Sequence, residues 1–438
     1  MKKLNFKFIG ITVLFAFITL VSCDDNDPNP IVQPPINEVL AGLQAGVMNG
    51  TLEEDFTLNS SINYNLTGSF IVADGVTLNI PAGTQIEADN GGADVYIAVL
   101  KGGKINVNGN DNNPVVMSSE SGNPGDWGGL TICGKATTSA GVDATAEVGD
   151  FIYGGNEDTD NSGTIKNLVI IGTGAQLSLD SQYNGVSFYA VGSGTVVENV
   201  AVINGSDDGV EFFGGTVSVK NLYLENNDDD AIDWTEGWNG TIDNAYVVNT
   251  VEDFSTVVEA DKVNGNPTIN NLTAISTVGG TALQFKKESG ATISNLFLSG
   301  YNTNIDMKDN GALSNVKIDG VDAEIDMIYN SGSKVDISNW NFINGQLVQL
   351  ELLSGKLTSN KTLKADTNYS LIGSYEVEDG ATLTIEAGTQ ITVDKGGVDV
   401  YIAVKKGGKI VSVVGPIDEE IAKMIGMVDY KLPENLTK

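Results

Sequence analysis

Between residues 163 and 318 short apolar runs alternate with single polar positions, and one shape keeps returning. It reads "GTIKNLVI" (163–170), "GTVVENVAV" (194–202), "GTVSVKNLYL" (215–224), "GTIDNAYVV" (240–248), "PTINNLTAI" (267–275), "ATISNLFL" (291–298) and "ALSNVKI" (312–318). Alternation with a period of two, in β-branched residues, predicts strands with one face in a core. Each run is interrupted by an asparagine, at 167, 199, 221, 244, 271, 295 and 315, with several gaps of only 22 to 24 residues. No helical period intervenes. A fixed short period of strands and turns is the signature of a solenoid in which each period forms one coil.

The pattern resembles right-handed parallel β-helices, where asparagine occupies the tight bend between two strands. Asparagine tolerates the left-handed conformation, and its amide can bond to the asparagines stacked above and below. The fold class expected is therefore all-β, a right-handed parallel β-helix. A larger repeat lies outside it: the segment 68–105 returns at 373–410, starting "GSFIVADGVTLNI" and "GSYEVEDGATLTI". The second copy stops matching after 410. Residues 416–427 instead place Ile417, Ile421, Met424 and Ile425 on one side of a predicted short helix. The expected organisation is a signal peptide (1–22), an acidic, Pro-rich tether (23–46), the β-helix (47–350), a truncated second copy (351–414) and a C-terminal helix and tail (415–438).

The alternation also assigns faces. In "GVEFF" Val210 and Phe212 should point inward and Glu211 outward; in "AIDW" Ile232 and Trp234 inward and Asp233 outward. The same phase turns Ser187, Gln284 and Asp306 outward. A second outward column follows the asparagine bend: Val169, Ala201, Tyr223, Tyr246, Thr273 and Phe297, with Tyr223 and Tyr246 as neighbours. Trp238 falls in the loop that follows and reads as an exposed platform.

Composition and charge restrict the chemistry. The formal net charge is −33, and the chain has no histidine and no arginine. Such a surface repels phosphate backbones and excludes nucleic acid as a partner. Histidine acid/base chemistry, histidine ligation and arginine clamps are excluded as well. The N-terminus has Lys2, Lys3 and Lys7 before an apolar run at 8–21, too short to span a membrane comfortably. It ends in Leu20-Val21-Ser22-Cys23, which resembles a bacterial lipobox with Cys23 as the lipidated residue. The polar, Pro-rich stretch after it reads as an extended tether. With Cys23 acylated, Cys133 stands alone and no intrachain disulfide is expected.

"GTQIEA", "YIAVLKGGKI", "NPGDWGGLTICG", "DDGVEFFGG" and "DDDAIDWTEG" together resemble a family of β-helical surface lipoproteins of Bacteroidota, over roughly 52–410. The resemblance implies fold and location, an outer-membrane lipoprotein exposed at the cell surface through its lipid anchor. It supplies no activity and no catalytic residues.

The acidic bends carry the candidate chemistry. Counting eight residues on from Asn199, Asn221 and Asn244 gives Asp207, Asp229 and Glu252; one further gives Asp208, Asp230 and Asp253. Coils in register would stack these as two acidic columns about 4.8 Å apart. Two carboxylates at that spacing repel by about 1 kcal/mol in water and about 3.5 kcal/mol at an effective dielectric of 20. Three remedies exist: bonds to turn N–H groups, protonation, or a bound cation, for which oxygen-only ligands favour Ca²⁺. Glycan contact would use Tyr223, Tyr246, Trp238 and Asp233, since sugar rings stack on aromatics and acids accept their hydroxyl hydrogens. Three functions follow from these residues. The first is a non-catalytic surface scaffold binding a glycan, Ca²⁺ or a partner protein. The second is a polysaccharide lyase or hydrolase, with Glu211 and Asp233, or Asp208 and Asp230, as acid and base, and Lys220 or Lys286 as a lyase base. The third is an accessory subunit of an outer-membrane transport or secretion complex.

Overall fold

The structure is a computed structural model describing residues 37–412, apart from 180, 253, 287, 310–312, 314, 344–349, 366 and 394–399. Cys23 and the helix expected at 416–427 lie outside the described residues, as does Asp253. The chain winds into a right-handed parallel β-helix with three faces per coil. One coil shows how. The strand Ser218–Asn227 bends at Asn221 (φ 58°), so residues before the bend lie on the first face and residues after it on the second. A turn through 228–229 leads to Asp230–Thr235 on the third face. The next coil repeats this with Thr241–Asn249 and Thr256–Ala260, paired parallel to the first.

Because the pairing is in register, inward side chains stack by kind. Val219, Ile242, Ile269, Ile293 and Ile318 form one buried aliphatic column on the first face. Val210, Ile232, Val258, Leu283 and Ile305 form another on the third. Burying one such side chain contributes about 1.5–3 kcal/mol. Phe188 and Phe212 stack inside, their ring centroids 5.2 Å apart. Trp234 belongs to the same core.

The asparagines form the expected ladder at the bend. Each amide of Asn199, Asn221, Asn244, Asn271 and Asn295 donates to the side-chain oxygen of the asparagine one coil before, at 2.8–2.9 Å. Asn315 does not join it. The register of Ala291 with Val316 places Asn315 beside Gly290, one position ahead of the strand. Asp319 (φ 50°) occupies the last bend, and its carboxylate accepts the Asn295 N–H. The chain then turns back antiparallel from Val316–Ile318 to Val321–Asp322, which ends the coil series.

The tether assigned to 23–46 is helical at its end. Glu38–Gln44 forms a helix whose Leu43 is fully buried in the main core. Val39 and Leu40 pack against that core too, so the helix covers apolar surface the first coil would otherwise expose. The second copy reproduces the first in detail. The irregular step between Met48 and Gly50 recurs between Leu353 and Gly355. The Tyr64 hydroxyl accepts the Asn59 N–H, and the Tyr369 hydroxyl accepts that of Lys364. Leu353, Leu363, Leu371, Val377 and Leu383 give this copy its own core.

Two segments cover outward faces. The excursion at 134–162 carries an antiparallel pair, Ala144–Thr145 with Ile152–Tyr153, and lays Ala146, Val148, Phe151 and Tyr153 over the outside of the third face. A second segment, 335–343 with the 3-10 helix Asn341–Ile343, lays Trp340, Phe342 and Ile343 over the second face.

Candidate functional site

The outward residues of the third face stack in one line: Thr131, Ser187, Glu211, Asp233, Glu259, Gln284 and Asp306, each paired with its neighbour on the adjoining coil. The alternation therefore predicts their direction correctly. It does not predict their surroundings. Glu211 and Asp233 are each only 8% exposed, and Ser187 and Gln284 are buried, while Asp306 is half-buried. For Glu211 the cover comes from Asn184 and from the excursion, whose Glu147 acts on it. The excursion is pinned by Glu236, whose carboxylate accepts the Tyr153 hydroxyl at 2.9 Å and the Thr138 hydroxyl at 2.5 Å.

The aspartates of the two acidic bends act between coils. Asp208 Oδ1 accepts the N–H of Asp230 at 2.9 Å. Asp230 Oδ1 in turn accepts the N–H and the hydroxyl of Thr256, at 2.8 and 2.6 Å. Each carboxylate thus satisfies a backbone donor on the next coil. The third rung differs from the count made along the chain. Asp230 pairs with Thr256, not Asp253, and Asp229 accepts a hydrogen bond from Ser255. The turn after Asn249 is longer than its predecessors, so Glu252 lies exposed in the loop instead of in the column.

What the coils do bring together is a buried group. Asp208, Glu211 and Asp233 each offer an oxygen within 4.8 Å of the others, and Asp207, Asp208 and Asp229 form a second, more open set. Burial, followed by the neighbouring carboxylates, pushes Asp208, Glu211 and Asp233 well above the usual carboxylate range. Burial and then the Asp229 charge push Asp207 and Asp230 up to about 8. The Asn184 amide donates to Glu211 at 2.7 Å and to the Ser187 hydroxyl at 3.2 Å. Lys286 bonds to Glu259 and lies 3.9 Å from Asp261. Burial alone would lower Lys286, but Glu259 and Asp261 outweigh it and hold the ammonium up to about 12, charged and unfit as a base near neutrality. Lys220 is on the first face, paired with Glu198 at 3.0 Å, far from the acidic group in the coil plan.

The candidate sugar platforms are likewise covered. Tyr223 and Tyr246 are neighbours, nearly parallel with centroids 6.0 Å apart. Tyr223 is buried, however, and donates its hydroxyl to Glu225 at 2.7 Å, while Tyr246 is half-buried. Val169, Ala201 and Thr273 of that column are buried beneath 335–343, and Phe297 is half-buried with Lys334 4.9 Å from its ring centre. Trp238 is not exposed at all. It stacks on Phe212 at 4.1 Å and donates its indole N–H to the Val217 carbonyl.

Reading the chain missed Glu259 and Asn184. The displaced register after Asn244 hid Glu259. Asn184 lies in a loop, where no period marks it. It also missed a cleft of about 320 Å³ between the asparagine bends and the second covering segment, lined by Asn244, Asn271, Asn295, Lys334, Asp336 and Trp340.

A family model described as a pectate-lyase-like beta helix domain matches residues 50–342 and 355–421. No curated protein and no solved structure matches the chain.

Proposed function

Because the chain belongs to the pectate-lyase-like β-helix domain family, we propose that it is a non-catalytic member of it. In this reading it is an outer-membrane lipoprotein, anchored through Cys23 and exposed at the cell surface. Its β-helix serves as a rigid scaffold that binds a glycan or a partner protein. One observation carries the absence of catalysis: Glu211 and Asp233, the best-placed carboxylate pair, are each only 8% exposed. So little exposed surface does not suit a polysaccharide chain, since an acid/base pair must come within hydrogen-bond reach of the bond it cleaves.

The surface left for binding is the first face. Its outward residues run Ser218, Thr241, Thr268 and Thr292 in one column and Lys166, Glu198, Lys220, Asp243, Asn270 and Ser294 in the next. Glu198 pairs with both Lys166 and Lys220, so charge alternates along the column and the face presents hydroxyls, amides and neutralised charge. Flat polar ladders of this kind suit the hydroxyls of an extended glycan or the rim of a protein interface.

The test is incubation of the purified protein with acidic and neutral polysaccharides, following new reducing ends. No turnover is expected. Turnover abolished by Asp233→Ala would overturn the non-catalytic reading. Retention on a glycan array supports a glycan ligand, whereas co-purification with a barrel protein from native membranes assigns the scaffold to a transport or secretion complex.

A further inference from the structure

We propose that the cleft between the asparagine bends and the second covering segment holds one sugar residue of a neutral oligosaccharide, and that the rest of that chain lies across the first face. This subsite rests on the glycan reading of the scaffold. It adds where the ligand is held and what charge it carries.

The cleft, of about 320 Å³, is lined on one side by Asn244, Asn271 and Asn295 and on the other by Lys334, Asp336 and Trp340. That is the size of a small-ligand pocket. Its wall is tied in place: Asn295 Oδ1 accepts the Ser333 N–H at 2.7 Å, and the Thr273 hydroxyl accepts the Val335 N–H at 2.8 Å. Each lining asparagine directly follows an outward residue of the first face, namely Asp243, Asn270 and Ser294. The cleft therefore borders the polar face, and one extended ligand can reach both. An amide offers two N–H donors and two acceptor lone pairs. In the ladder the side chains of Asn244 and Asn271 each use one N–H and one lone pair. Among the described residues they make no further bond, so each rung keeps a donor and an acceptor, at a spacing of about 4.8 Å. Trp340 is 8% exposed, yet its indole N–H has no partner among the described residues. A tryptophan so covered usually bonds its N–H, as Trp127 and Trp238 do here.

Charge selects a neutral ligand. Lys334 and Asp336 stand two residues apart and do not pair with each other. Partial burial pulls Lys334 below the usual lysine range, and no carboxylate offsets it. Asp336 Oδ1 accepts the Ser338 N–H at 2.9 Å, which leaves the carboxylate further acceptor sites. The cleft thus presents an ammonium donor and a carboxylate acceptor whose charges cancel. A sugar hydroxyl, which both donates and accepts, satisfies either one. An acidic chain would gain nothing net from that pair and would meet the −33 of the whole surface.

The experiment titrates the full chain with maltose, cellobiose, xylobiose and mannobiose, with the matching hexasaccharides, and with oligogalacturonate as the acidic arm. Binding is read by calorimetry and by intrinsic fluorescence. Of the four tryptophans, Trp127, Trp234 and Trp238 are at most 1% exposed, so a change in emission on binding reports on Trp340. At least one neutral hexasaccharide should bind and shift the emission. Lys334→Met and Asp336→Asn should each weaken it about 10-fold, with the melting temperature unmoved because both side chains are exposed. Trp340→Phe keeps a ring in the covering segment and should abolish the emission change. Thr268→Val, on the first face, should weaken the hexasaccharide more than the disaccharide. Tighter binding of oligogalacturonate than of every neutral sugar would overturn the proposal. So would a neutral hexasaccharide whose affinity falls in Thr268→Val but is intact in the Lys334→Met/Asp336→Asn double variant; the glycan reading would then stand without the cleft. If no sugar binds at millimolar concentration, both fall.

Discussion

Asn221 shows what one residue contributes to a coil. Its φ of 58° is unfavourable for most L-residues, and its side chain both donates to Asn199 and accepts from Asn244. Asn221→Ala removes two hydrogen bonds worth about 1 kcal/mol each and adds about 1 kcal/mol of left-handed strain. Urea unfolding should therefore show a loss of about 3 kcal/mol, of which Asn221→Gly recovers about 1 kcal/mol by relieving the strain. Glu225 gives a residue-scale pH dependence. Burial pushes its carboxyl up to about 7, against the opposing pull of the Tyr223 hydroxyl. A folded pKa above the unfolded one means the fold favours the protonated acid. That stability is complete below about 4.5 and is lost as pH rises through about 7. Glu225→Gln keeps an acceptor for Tyr223 and should gain on wild type by about 3 kcal/mol between pH 4.5 and pH 8, read from denaturation curves at each pH.

At the scale of elements, the strands are held by in-register aliphatic columns, and the excursion by its apolar cover and by polar contacts that include those on the Glu236 carboxylate. Tyr153→Phe removes the hydrogen bond that the Tyr153 hydroxyl shares between the two Glu236 oxygens while leaving the ring packed against Tyr189, 4.9 Å away. A hydrogen bond to a charged group is worth about 1.5–3 kcal/mol, so opening of the excursion should become roughly 10-fold more frequent. Limited proteolysis should then cut within 139–152 about 10-fold faster, with the main melting transition unmoved. A lowered main transition would mean that the excursion supports the coils themselves. Strands, bends and the inward set, including Ile232 and Trp234, are legible in the chain because they depend on neighbours two residues or one coil away. The excursion is not, because its apolar residues, Phe151 and Tyr153 among them, follow no period and pair with a face formed by distant coils.

At the scale of the molecule, the two copies have separate aliphatic cores that share no member among the described residues. In a solenoid, stability is close to a sum over neighbouring coils. Deleting 350–438 should leave the main calorimetric transition in place and abolish a smaller one. Loss of the main transition would show that the second copy completes the first. The net charge of −33 acts on the whole surface, so monovalent salt should raise the melting temperature by screening repulsion.

The amino-acid sequence by itself determined the coil. Alternation selected the strands, asparagine selected the bend, and stacking of like side chains followed from the short period. It also determined the direction in which Glu211 and Asp233 point. Tertiary structure alone decided whether those directions meet water. Covering segments far along the chain bury Tyr189, Phe213 and Tyr223, because apolar faces left open on a solenoid are closed by whatever apolar chain can reach them. It decided the acidic register as well. One longer turn after Asn249 moved Glu252 out of line and brought Thr256 beneath Asp230, since hydrogen bonding between coils, and not residue count, fixes which side chains become neighbours.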